Sequence, residues 1–117
     1  MSVEAHIGRA PRIRRTAADR LREAVLALAQ HRGQLIEHHE KPWASITFAG
    51  ARHTLSLLFM GDDAVAAGEE LLAALPDHEF AIPGQLVADA NVISVEHRLL
   101  PTPRMAITCE LLLLEDA

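Results

Sequence analysis

Two hydrophobic periods alternate along the chain. Leu21, Ala24, Val25 and Leu28 recur at three- and four-residue steps, with Arg20, Arg22 and Glu23 between them, which is the pattern of a helix with one buried stripe. Thr16 precedes this segment and Asp19 follows three residues on, a pair able to close a capping box. Gly33 stands where a left-handed C-terminal cap is expected. The helix is therefore predicted to start near Thr16. Residues 1–15 show no period and contain Gly8 and Pro11, so they read as a flexible arm ahead of one domain over residues 16–117.

A short strand is expected over Gln34 to His38, ending at the break made by Glu40, Lys41 and Pro42. Beyond it the period drops to two. Gly50 and Ala51 have glycine first, as a two-residue type II′ turn requires. That turn would pair Ala49 with Arg52, Phe48 with His53, Ile46 with Leu55 and Ala44 with Leu57, leaving Trp43 and Leu58 on the other side.

Gly61, Asp62 and Asp63 then supply a helix start with acids at the positive end of the dipole, and Pro76 stops the segment after Leu75. Val65, Gly68, Leu72 and Leu75 form its inner stripe, where Gly68 suggests close approach to a sheet. A short strand over Glu79 to Ile82 and a turn at Pro83 and Gly84 lead into two long strands, residues 86–99 and 104–115, divided by Leu100, Pro101, Thr102 and Pro103. In the first of them the alternation changes phase, so a bulge is expected near Asn91. The order helix, hairpin, helix, hairpin predicts an α+β fold: one antiparallel sheet of four or more strands built from two hairpins, with two helices packed on it.

Apolar residues fall on both sides of that sheet. Residues 111–114 are four consecutive leucines, and Trp43, Leu58 and Met60 join Leu112 and Leu114 on the otherwise polar side. If these leave roughly 400–500 Å² in water, covering them is worth about 10 kcal/mol before association costs of similar order. Either the first helix packs behind the sheet or a second copy does. The reading adopted is a homodimer through Trp43, Leu58, Met60, Leu112 and Leu114.

Composition narrows the function classes. The chain has 117 residues, half of them apolar, which suits one core. Its formal charge of −5 argues against wholesale binding of nucleic acid or anionic lipid. Residues 1–32 nevertheless hold seven arginines against three acids, a local +4. Arg9, Arg12, Arg14 and Arg15 could form a polybasic arm, but without interleaved aromatics a solvated tail is the simpler reading and nucleic acid is not the expected partner. The longest apolar run, residues 24–29, has six members, whereas a membrane span needs about 20. A cytoplasmic location is expected, and the single Cys109 cannot form an internal disulfide.

Candidate chemistry is sparse. The seven histidines include no H-x-x-x-H or H-E-x-x-H spacing and no C-x-x-C accompanies them, so no metal and no cofactor is expected. His53 and His97 are the candidate proton-transfer groups, with Arg98 and Arg104 nearby for an anion. Cys109 falls mid-strand between Ile107 and Leu111 and reads as inert packing. The function expected is a binding or assembly module. The alternative is a small enzyme or anionic-ligand-binding protein that uses His53 and His97 at a strand-end rim.

Overall fold

The computed structural model describes residues 15–116, so the expected arm, apart from Arg15, lies outside the described residues. The elements are α1 (Ala17–Leu28), β1 (Gln34–Ala44), β2 (Ala49–Met60), α2 (Asp62–Ala74), a single 3₁₀ turn (Leu75–Asp77), β3 (Gln85–Arg98) and β4 (Arg104–Glu115). They form the α+β architecture read from the pattern, with one antiparallel sheet in the order β1-β2-β4-β3.

The start of α1 follows from its capping chemistry. The Asp19 amide donates to Thr16 Oγ1 at 3.1 Å and the Thr16 amide donates to Asp19 Oδ2 at 3.0 Å, so each residue satisfies one of the orphan donors at the helix end. Its finish differs from expectation. Gln30 and His31 take the left-handed conformation, with φ of 58° and 56°, and Gly33 is not the cap. Gly33 instead lies against Phe59, where a Cβ would stand 2.7 Å from the ring.

The first hairpin corrects the expected register. β1 runs unbroken through Pro42 to Ala44, which its place at the sheet edge permits. Ala44 pairs with Ala49, and the reversal is made by residues 45–48. The Ser45 amide donates to the Phe48 carbonyl at 2.7 Å, while Ser45 Oγ accepts from the Phe48 amide at 3.0 Å. A serine side chain closes this turn, a stabilisation that a search for glycine overlooks. Gly50 lies within the strand, paired with Trp43 on one side and Leu114 on the other.

Residues 79–81 form no strand, and Ile82 makes only an isolated bridge to Gln85. β3 has two register irregularities, between Val87 and Asp89 and between Val92 and Ser94, instead of one near Asn91. The second, long hairpin stands where the pattern put it.

Both helices pack on one face of the sheet. Leu21 and Val25 of α1, Val65 and Leu71 of α2, and the alternating row Leu55, Leu57 and Phe59 of β2 belong to one buried cluster, which Met105, Ile107, Cys109, Leu111 and Leu113 of β4 complete. Gly68 brings α2 down onto this surface, since a Cβ there would meet Met105 Sδ at 3.1 Å and the Phe59 ring at 3.2 Å. Among the described residues the other face of the sheet carries no helix.

Candidate functional site

Strand register assigns the open face residue by residue. Trp43, Gly50, Leu114 and Leu86 form one row across the four strands. Further along β2 and β4 come Arg52 beside Leu112, Thr54 beside Glu110, Ser56 beside Thr108, Leu58 beside Ala106 and Met60 beside Arg104. All five residues expected at an interface therefore share this face. Neighbouring side chains shield most of them: Trp43, Leu58 and Leu112 are half-buried, Leu114 is buried, and Met60 is the most exposed at 52%.

The middle of the face is polar, as the alternation predicts. Ser56 and Thr108 hydroxyls are 3.1 Å apart and Arg52 donates to Glu110 at 3.2 Å. Such pairs satisfy each other laterally. Beside them lies a hollow of about 340 Å³, lined by Ile36, Ser56, Leu58, Ser94, Ala106 and Thr108 among others. Ile36 enters it because the irregularity between Leu35 and Glu37 releases one residue of β1 from pairing, and Ile36 is 52% exposed.

The candidate ligand residues do not converge. His53 stands opposite Leu111 and His97 opposite Met105, six positions apart on β4, which is about 20 Å along a strand. His53 is 1% exposed, while His97 is open to solvent. Arg98 and Arg104 do come together, as a direct cross-strand pair at one end of the open face, next to Glu96. The hollow they line with Glu96 and Ala106 includes neither histidine. Among the described residues no three His, Cys, Asp or Glu side chains gather as metal ligands would. Cys109 is fully buried, and desolvation pushes its thiol up to about 11, which removes the thiolate needed for nucleophilic work near neutrality.

One polar cluster escaped the sequence reading. His38 Nε2 and His53 Nδ1 are 2.9 Å apart, and His38 Nδ1 is 2.9 Å from an Arg22 amino group. Arg22 in turn pairs with Asp19 on α1. The displaced hairpin register hid this contact: with the turn at residues 45–48, His38 lies beside Leu55 and Glu40 beside His53, so both imidazoles face α1. Pairing about the turn sets Glu40, not His38, opposite His53, and the two imidazoles meet diagonally, so their spacing in the sequence carried no direct signal.

Neither a family model nor a curated protein matches the sequence. Among solved structures, a chain of the virion of a native gene transfer agent particle is similar, with a TM-score of 0.58 over 84% of this chain and 91% of that chain, at 15% identity. At that identity the likeness is one of fold.

Proposed function

We propose that this chain is an assembly module whose copies associate through the open sheet face as a homodimer. The observation that carries the reading is the placement of α1 and α2 on the same face. A second copy is then the covering that the chain itself supplies for Leu58, Met60, Ile36 and the hollow between them. The similar chain comes from a virion particle, a setting of many subunits, and this supports an assembly role over a catalytic one. The divergence of His53 and His97 supports it from the other side.

The test is a charge placed in the centre of the face. Ala106 pairs with Leu58 and is half-buried by its own sheet. Ala106→Arg lets a lone subunit fold with its new side chain in water beside Glu96, the residue opposite on β3, but forces the bulk and charge of that side chain into the contact of a dimer. The expected result is loss of the dimer in size-exclusion chromatography with the far-UV circular dichroism spectrum retained. A dimer of undiminished strength would overturn the proposed face.

A second geometry has a specific observation behind it. The most exposed apolar side chains are Ile46 at 106%, in the β1–β2 turn, and Leu99 and Leu100 at 68% and 81%, in the β3–β4 loop. Because Gly50 pairs with Leu114 and Met60 with Arg104, these two tips lie at opposite ends of the sheet. Unlike patches at opposite ends suit head-to-tail contacts, which propagate into rings or filaments instead of closing as dimers. Species larger than a dimer, abolished by Ile46→Ser, would favour this geometry.

A further inference from the structure

We infer that Arg22, His38 and His53 form a proton-operated latch that holds α1 on the sheet near neutral pH and releases it in mild acid. The geometry dictates where the protons sit. A guanidinium can only donate, so His38 Nδ1, 2.9 Å from Arg22, must be an acceptor. The His38 proton is therefore on Nε2, where it is donated to His53 Nδ1 at 2.9 Å. His53 accepts at Nδ1 and carries its own proton on Nε2. The chain has one direction, from α1 through β1 to β2, and both rings in it are neutral.

A proton added anywhere in this chain breaks a link. On His38 it creates an N–H at Nδ1, facing the Arg22 donor and its positive charge. On His53 it creates an N–H at Nδ1, facing the donor of His38. The first collision lies where α1 meets the sheet through a polar contact and the second lies one link further on, between β1 and β2, while Leu21 and Val25 supply the apolar part of the seat.

The surrounding charges favour the neutral state on balance. From α1 come Arg22 and its partner Asp19. From β1 come Glu40, which stands opposite His53, and His39, next to His38. From β4 comes only Leu111 opposite His53. Burial first, then the His53 and Arg22 charges, hold His38 below its ordinary value, against the pull of Glu40. His53 is lowered chiefly by burial, with Glu40 opposing and Arg22 assisting.

Groups with lowered folded-state values bind more protons when unfolded, so their stabilising contribution is complete above the ordinary histidine value of 6.5 and is lost as pH falls through the folded values. The loss should be local to α1, because β2 and β4 are joined at His53 and Leu111 through backbone pairing and not through the imidazole.

Two measurements on the whole chain test this. Long-range ¹H–¹⁵N spectra should show both imidazoles protonated at Nε2 above neutrality. Hydrogen exchange, corrected for intrinsic rates, should show protection of the α1 amides falling about tenfold or more between neutral and mildly acidic pH, with β4 unaffected. His38→Gln removes one titrating ring while offering an amide that can both accept from Arg22 and donate to His53, and should shrink the acid effect. An Nδ1-protonated His38, or α1 protection that stays constant while both rings titrate, would overturn the latch, and neither readout depends on the variant folding.

Discussion

Gly50 lies under the backbone of β4, so close that a Cβ on it would stand 1.9 Å from the Leu113 carbonyl oxygen and 2.8 Å from Leu114 Cα. The obstacle is main chain, which no side-chain rotation relieves. Gly50→Ala must push β2 and β4 apart where they pair, and overpacking of this kind costs about 1–3 kcal/mol or more. Chemical denaturation should show a loss at the upper end of that range. A variant as stable as the parent would show that the approach is looser than described.

The same sheet separates strong from weak contributions. Phe59 is wholly buried, with Gly68 of α2 and Gly33 of the α1–β1 connection against its ring, and Phe59→Ala should cost about 3–5 kcal/mol through lost burial and a cavity. Arg52 and Glu110 form a half-exposed ion pair across the open face, and replacing both should change stability by less than about 1 kcal/mol. Equilibrium unfolding of the two variants gives the comparison directly. Comparable losses would contradict the placement of the core on the helical side alone.

Acid acts on α1 in a second, lower window. Backbone and side-chain hydrogen bonds to Thr16 hold the Asp19 carboxyl below its ordinary value of 3.8. A depressed carboxyl stabilises the folded state above that value and loses the contribution as pH falls through its own. Thr16→Ala should remove the cap at a cost of about 1 kcal/mol near neutrality and blunt fraying of the first turn below pH 3.8. Helix-resolved hydrogen exchange distinguishes this step from the histidine step, which begins at higher pH, below the ordinary histidine value of 6.5.

Cys109, with its thiol pushed up to about 11 and no exposed surface, should resist a disulfide-exchange reagent in the folded protein at pH 8 and react fully once denatured. Rapid modification of the folded chain would place it outside the core.

Much of the fold was legible because several local signals agreed. Thr16 and Asp19 announced the start of α1, and the alternation through residues 104–115 placed β4 over the residues it occupies. The first hairpin was misread for a physical reason. Glycine serves both tight turns and close backbone approach, and Gly50 serves the second, while Ser45 does the work at the turn. That shift moved His53 from beside Phe48 to beside Glu40 and hid its contact with His38. The apolar residues of the second face were assigned correctly from alternation, but not their shielding, because lateral burial by Ser56, Thr108 and Arg52 depends on neighbours that a single strand does not reveal.

Sedimentation equilibrium of the unmodified chain at micromolar concentration tests the central claim most directly. The account predicts a concentration-dependent species of twice the 12.8 kDa chain mass. A single species at the mass of one chain across that range would contradict it.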